Sequence, residues 1–300
     1  MEKIDILLAT YNGEKYIEAQ IYSILAQTLT NWQLIIHDDG STDGTIEKIR
    51  EIQKLDNRIL IVEDNIICGG AANNFLYLLK SATSDYVIFC DQDDVWFESK
   101  LQVLYDSIQS EPEAAAVYCN AYGYNGTHIT SNQVSLFERD SLSNSLFLNS
   151  GVQGCSLLFN RALIDMLLDF PSFIVMHDHY ITMAAISFGK LKYIDLSLML
   201  YRQHDQNVTG NIAVSFSDRI RSFFNRANPI IDRKHYEANK SFYNKFKDKF
   251  TLQQQEIFRA YLQFPELSFV QKVSTLLKYN FRMGNNRWIL VLKLLFKKTI

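Results

Sequence analysis

Three carboxylates within four residues, Asp91, Asp93 and Asp94, follow directly on the apolar run Tyr86-Val87-Ile88-Phe89-Cys90. Such a run reads as a buried strand. Acids crowded at its end repel one another and resist desolvation unless a cation sits among them. A hard cation takes one or two carboxylates and fills its other positions with phosphate oxygens and water. Asp-x-Asp at a strand's C-terminal end therefore suits a divalent metal, Mn²⁺ or Mg²⁺, that bridges a diphosphate. A solvated acidic turn before the next helix is the plainer reading. The position favours the metal, because open α/β sheets place ligands beyond the carboxyl ends of their strands.

The elements before this run must bring other polar groups to the same edge. Lys3 to Ala9 reads as a first strand, turned by Thr10-Tyr11-Asn12-Gly13. Ile17, Ile21, Ile24 and Leu25 have helical spacing. Gln33 to His37 is a second strand and ends in Asp38-Asp39-Gly40-Ser41-Thr42-Asp43-Gly44-Thr45. Asp43 is placed to cap the helix that carries Ile46 and Ile49. A third strand spans Ile59 to Val62, and Gly69-Gly70 precedes a helix with Phe75, Leu76 and Leu79. The alternation β-α-β-α-β-α-β predicts a mostly parallel sheet with right-handed crossovers. Strands one, two and four end in polar groups, so their edges should lie side by side.

The second half is less regular. A helix carrying Leu101, Leu104 and Ile108 should lead to a strand at Ala115–Cys119, and Asn125-Gly126 to a hairpin turn. Gly151-Val-Gln-Gly154 should enter a strand at Cys155–Phe159, with Asn160 capping a helix through Leu168. A helix should open at His177-Asp178-His179, followed by strands at Leu191–Ile194 and Leu198–Arg202. Beyond 210 the pattern turns helical.

Charge divides the chain at the same place. Residues 1–210 hold 13 Lys and Arg against 27 Asp and Glu, a net of −14. Residues 211–300 hold 17 against 6, a net of +11. The expected organisation is an acidic body, 1–210, and a basic, aromatic helical extension, 211–300, that meets an anionic surface or another subunit. Cys68, Cys90, Cys119 and Cys155 form no Cys-x-x-Cys pair and read as reduced thiols of a cytosolic protein. No signal peptide is expected ahead of the first strand, and no apolar run reaches the roughly 20 residues of a membrane span.

Taken together, Ala-Thr-Tyr-Asn-Gly (9–13), Asp-Asp-Gly-Ser-Thr-Asp-Gly-Thr (38–45) and Asp-Gln-Asp-Asp-Val-Trp (91–96) resemble glycosyltransferase family 2. Gly-Cys-Ser (154–156), His-Asp-His (177–179) and Arg-Gln-His-Asp-Gln-Asn (202–207) are similar to its bacterial rhamnosyltransferase branch. The resemblance covers about residues 3–207. It implies a GT-A fold, an α/β Rossmann-like sheet flanked by helices, and metal-dependent transfer with inversion; the C-terminal helical extension is read from the pattern beyond 210, outside the resemblance. It implies that Thr10 and Tyr11 line the base and ribose pocket, and that Asp38 or Asp39 accepts from the base or ribose. A capped turn is the other reading of those two acids. Asp91 would touch the ribose or a metal-bound water, Asp93 would hold the metal, and His204 would add a metal or diphosphate contact. Asp178 would be the general base that deprotonates the acceptor. A helix N-cap is its competing role. Many relatives have Glu-Asp where this chain has His177-Asp178. Gln153, Gly154, Trp96 and His177 would approach the donor or acceptor sugar, although Trp96 most simply packs behind the acidic turn. No cysteine or third histidine completes a zinc site around His177 and His179.

The resemblance also implies dTDP-β-L-rhamnose as donor and a polyprenyl-linked saccharide as acceptor, in bacterial cell-wall or surface polysaccharide synthesis at the inner face of the membrane. Other nucleotide-sugar donors such as a UDP-hexose, a nucleotidyltransferase, and a non-catalytic scaffold of the same fold are the alternatives. A nucleotidyltransferase would want a basic Gly-rich loop after the first strand, and no Lys or Arg follows until Lys15. The basic extension, through Ser217–Arg226 and Trp288–Ile300, suits peripheral membrane contact or a homodimer. No base-reading motif points to nucleic acid.

Overall fold

In the computed structural model, residues 2–149, 152–204, 225, 228–284 and 286–300 are described. The chain forms two compact units. The first comprises Met1–Ser135, Val152–Leu168 and Lys192–Ala213, and the second Leu136–Gly151, Asp169–Leu191 and Val214–Ile300.

Strand β1 (Ile4–Thr10) is buried along its whole length. It lies between β2 (Trp32–Asp38) and β4 (Tyr86–Cys90), parallel to both, and β2 carries β3 (Ile59–Ile61) on its far side, also parallel. A strand buried on both faces reads as a continuous apolar run, as β1 and β4 do. The helices between them turn inward most of the residues expected from their spacing. Helix α1 (Ile17–Leu25) buries Ile17, Ile21 and Ile24, α2 (Thr45–Gln53) buries Ile49, and α3 (Ala71–Leu79) buries Phe75, Leu76 and Leu79, while Leu25 and Ile46 are half-buried against the same core. Ile52 and Leu78 join the buried set. Register sets the working edge. Thr10 pairs with Asp38 and Leu8 with Cys90, so the acid run begins beside the last residues of β1.

At the other end of β1, the buried Asp5 accepts from Thr83 N–H (2.7 Å), Ser84 N–H (2.9 Å), Ser84 Oγ (2.5 Å) and Gln33 Nε2 (2.6 Å). A buried carboxylate is tolerable when several donors meet it. This one fixes the entry to β4.

The sheet continues past β4 in the antiparallel sense. Its order is β3-β2-β1-β4-β8-β6-β9-β5, with β7 (Ile129–Ser131) paired to β6. Strand β8 (Leu157–Asn160) pairs antiparallel with β4 and with β6 (Ala115–Tyr124). The strand expected at Cys155–Phe159 starts later, because Gly154–Ser156 form a 3₁₀ turn. The two strands expected at 191–194 and 198–202 are one, β9 (Lys190–Arg202), which pairs antiparallel with the short β5 (Val95–Trp96). Helix α4 (Lys100–Ile108) buries Leu101, Leu104 and Ile108. The Asn160 side chain caps α6 (Arg161–Leu167) by accepting the Leu163 N–H. The fold is the expected Rossmann-like, GT-A arrangement of a mixed sheet flanked by helices, with a helical C-terminal region.

The second unit is helical. It contains α5 (Leu142–Ser145), α7 (His177–Phe188) and the helices Arg233–Phe246, Leu252–Gln263, Phe269–Lys278 and Trp288–Phe296. Two aromatic clusters hold it. Phe147 meets Tyr261, Phe264 and Phe281, while Phe188 meets Phe242, Phe246 and Phe250. Side-chain caps from Asp232, Thr251 and Ser268 start three of its helices. Ser217–Arg226, apart from residue 225, and 205–207 lie outside the described residues.

Candidate active site

The first unit gathers its polar groups where β1, β2 and β4 end. Gln92, between the acids Asp91 and Asp93, ties β1 to the acid run. Its Oε1 accepts from Thr10 Oγ1 (2.6 Å) and the Tyr11 N–H (2.9 Å), and its Nε2 donates to the Tyr11 carbonyl (3.0 Å). Gly13 is required here for space, since a Cβ would stand 2.3 Å from Gln92 Oε1. Thr10 is therefore buried with its hydroxyl used. It holds the motif in place at the end of β1. Tyr11 is 55% exposed and presents its ring to solvent.

Asp38 and Asp39 do different work. Asp38 accepts from the N–H groups of Gly40 (3.1 Å) and Ser41 (2.7 Å) and from Ser41 Oγ (2.5 Å), the capped turn of the plainer reading. Asp39 is buried and accepts from the N–H groups of Cys68 (2.5 Å), Gly69 (3.1 Å) and Gly70 (2.7 Å). It thus holds the loop whose two glycines have φ of 74° and 139°. An ionised carboxylate has about four acceptor positions, so each keeps capacity for one more donor. Asp43 does start α2, accepting the Thr45 N–H (3.1 Å) and hydroxyl, although Gly44 occupies the cap position itself.

Beyond Gln92 the acids separate. Asp93 Oδ2 lies 2.7 Å from His204 Nε2. The imidazole stacks on Tyr16, centroids 5.1 Å apart and planes 14° apart. Arg202 donates from Nε to the Asp93 carbonyl (2.6 Å) and from its backbone to Asp94 Oδ1 (2.9 Å), with its guanidinium over the rings of Tyr16 and Tyr124. Asn12, Lys15, Tyr16, Lys48 and His204 border a cleft of about 540 Å³ beside this cluster.

Asp91, Asp94 and the Cys155 thiol bring one donor atom each within 4.8 Å of one another. Asp94 is buried, and its Oδ2 meets no nitrogen or oxygen partner among the described residues. Burial, then the like charges of Asp93 and Asp91, push its carboxyl well above the usual range. A dication held there would relieve that repulsion. Oxygen donors suit a hard ion and a thiol does not, so Asp91 and Asp94, rather than Cys155, would hold Mn²⁺ or Mg²⁺. The expected set Asp91, Asp93 and His204 is thus divided between two neighbouring groups, and Asp94 joins Asp91.

Lys100 supports this wall from inside. It is fully buried, donates to the Cys155 carbonyl (2.7 Å), touches Met199 Sδ (3.1 Å) and sits 3.6 Å over the Trp96 ring. Burial pulls its ammonium below the ordinary range. Trp96 is 2% exposed and belongs to the core. Its ring packs there behind the acidic turn, under the Lys100 ammonium. Gln153 accepts from Ser135 Oγ (2.6 Å), and Gly154 is buried in the 3₁₀ turn that leads to Cys155. The sequence marked neither Gln92 nor Lys100. Both act by crossing between strands, which local spacing does not reveal.

Asp178 and His177 belong to the second unit. Asp178 lies in the first turn of α7, but Met176 is at the cap position and makes no side-chain cap. The Asp178 carboxylate accepts the N–H of His179. Burial pushes it up to about 6, held back by that N–H and by the Arg139 guanidinium. A half-buried acid near neutrality is suited to proton transfer. His177 and His179 are buried, and burial pulls each imidazole down to about 3. His177 is therefore a neutral, buried residue at the start of α7. His179 packs edge-on against His235 at 5.2 Å.

Known proteins extend these observations. The family described as Glycosyl transferase family 2 matches residues 5–191. The dTDP-rhamnosyl transferase RfbG of Shigella flexneri is 30% identical over 223 residues, 68% of this chain and 73% of that one. WfgD of Escherichia coli, a UDP-Glc:alpha-D-GlcNAc-diphosphoundecaprenol beta-1,3-glucosyltransferase, is 28% identical over 210 residues, 69% of this chain and 80% of its own. Among solved structures, the mannosyltransferase PcManGT from Pyrobaculum calidifontis, in complex with GDP-Man and Mn²⁺, aligns with a TM-score of 0.57 at 16% identity. That alignment covers 97% of this chain and 78% of that one. With the motifs at one sheet edge and this match over more than half its length, the chain belongs to glycosyltransferase family 2.

Proposed function

We propose that this glycosyltransferase moves a hexosyl group, with inversion, from a nucleoside-diphosphate sugar to a hydroxyl of a saccharide acceptor in bacterial surface-polysaccharide synthesis. The observation that carries this reading is the acid run Asp91–Asp94 at the strand edge shared with Tyr11, Asp38 and Asp39, where the buried Asp94 crowds against Asp91. The relatives act on different sugars. They support a nucleoside-diphosphate hexose in general better than dTDP-β-L-rhamnose alone. RfbG makes dTDP-L-rhamnose a donor to try, and WfgD makes UDP-glucose another. The diphosphoundecaprenol in WfgD's name supports a polyprenyl-linked acceptor, met at the cytoplasmic membrane face.

Each group then has a part. Tyr11 offers a platform for the base, and Asp38 and Asp39 keep acceptor capacity for a base or ribose donor. Asp91, Asp93 and Asp94 supply the carboxylates for a divalent ion, with His204 beside Asp93. Such an ion, when bound, neutralises the diphosphate that leaves. Asp178 takes the proton of the acceptor hydroxyl as its oxygen bonds to the anomeric carbon. The bond to the diphosphate breaks, and its electron pair departs with the nucleotide.

Thermal melts with a panel of nucleotide-sugars, with and without Mn²⁺, test the reading, because a ligand that binds only the folded state raises the melting temperature. The cognate donor should stabilise the wild type in the presence of Mn²⁺, and Asp93→Asn should lose that gain. An equal shift in Asp93→Asn would remove the acid run from donor binding. Binding without hydrolysis or transfer would favour a scaffold.

A further inference from the structure

The last helix of the second unit, Trp288–Phe296, is apolar except for Lys293. Leu290 is buried, and Ile289, Val291 and Leu294 are half-buried. Trp288, Leu292 and Leu295 are exposed. Those three positions follow the i, i+4, i+7 spacing of a single helical face. Large apolar side chains at that spacing normally face a core, and here they face outward.

The helix is also held in place. The N–H groups of Ile230 and Ile231 donate to the carbonyls of Lys298 and Thr299, each at 2.9 Å, and Lys293 folds inward onto Met283 Sδ at 3.0 Å. The adjacent helix Phe269–Lys278 packs against it and exposes Val270 and Leu277. A fraying end does not account for such a stripe.

Charge decides what covers it. From Leu267 to Ile300 the chain has seven Lys and Arg and no Asp or Glu. Arg287 and Lys298 are exposed at the two ends of the stripe, with Lys297 half-buried beside it. Two copies meeting through this face would bring like charges together. A nucleic acid would leave the apolar stripe in water. An anionic bilayer takes the aromatic and aliphatic groups into its interface and the cations onto its headgroups.

We infer that the outward face of Trp288–Phe296 is a seat for the surface of an anionic lipid bilayer. No described helix is long and apolar enough to cross one. The inference deepens the proposed membrane-borne acceptor by naming the surface that meets the lipid, and it rests on that reading.

Trp288 provides the probe, being 58% exposed while the other two tryptophans, Trp32 and Trp96, are 1% and 2% exposed. Full-length protein is mixed with vesicles of phosphatidylglycerol and phosphatidylcholine, or of phosphatidylcholine alone. It should cosediment with the anionic vesicles, and its emission should shift to the blue. Leu292→Ser with Leu295→Ser should weaken binding by roughly tenfold or more. Lys297→Gln with Lys298→Gln should weaken it roughly tenfold and flatten its salt dependence. These positions face outward or lie beyond the helix, so the variants should melt like wild type and hydrolyse donor in solution at the same rate. Failure of the wild type to bind anionic vesicles would overturn the inference, as would undiminished binding by the double-Ser variant. A concentration-dependent dimer that the double-Ser variant abolishes, without vesicle binding, would assign the face to a second copy. Loss of donor hydrolysis in wild type would instead strike the proposed reaction, so the two failures separate.

Discussion

A single amide crosses the working edge. Gln92 joins the end of β1 to the acid run through three hydrogen bonds. Gln92→Ala removes all three and leaves the buried Thr10 hydroxyl without its partner. At about 1 kcal/mol net per bond, the variant should lose about 2–3 kcal/mol of stability in urea titration and bind donor more weakly. Unchanged donor affinity would reduce Gln92 to a structural tie. The acids themselves were legible, because three carboxylates behind an apolar run announce a charged edge. The tie was not, because Gln92 sits between two acids and its partners are about 80 residues away. Packing behind the acidic turn was the simpler reading of Trp96, and the residue is 2% exposed. For Asp178, the proposed base must be ionised to accept a proton. Turnover should therefore fall as pH drops below about 6. Asp178→Asn should retain donor binding and lose on the order of 10²-fold or more in turnover. Removing the positive charge with Arg139→Gln should move the acid limb of the profile upward. A pH–rate series on the three proteins checks this, and near-normal transfer by Asp178→Asn would rule it out as base.

Among the elements, the parallel half of the sheet was legible and the antiparallel half was not. Strands β1, β2, β3 and β4 are separated by helices with clear apolar spacing, which forces parallel crossovers. Strands β6, β8 and β9 are joined by less regular connections that do not alternate strand and helix one by one, and β9 reads as two pieces because Asp195 and Ser197 interrupt its apolar pattern. Helix α7 carries a different consequence. His177 and His179 are buried with their imidazoles held down near 3, whereas an unfolded histidine titrates near 6.5. Between those values the unfolded chain binds the additional protons, so stability is lost as pH falls from about 6.5 toward 3. Asp178 works in the opposite sense, its carboxyl rising from 3.8 to about 6, so its cost shrinks as pH falls through that window. Two histidines travelling further outweigh one aspartate. The melting temperature should therefore drop on acidification from pH 7 to pH 4. His179→Phe keeps a ring against His235 and removes one titration, so its melting curve should depend less on pH. An identical pH slope would place the acid sensitivity elsewhere.

At the scale of the molecule, the charge boundary near 210 was visible in composition, because counting acids and bases needs no tertiary information. The division into units was not. Segments Leu136–Gly151 and Asp169–Leu191 join the helical unit although they are interleaved in sequence with sheet-forming stretches. Their assignment depends on which long-range apolar partners they meet, such as Phe147 with Tyr261 and Phe264. The acid-free stretch from Leu267 onward has a practical corollary. Although the whole chain carries a formal charge of −3, adsorption follows local rather than summed charge. Purified protein should cling to a sulfonate resin at neutral pH and elute only as added electrolyte masks that one basic patch.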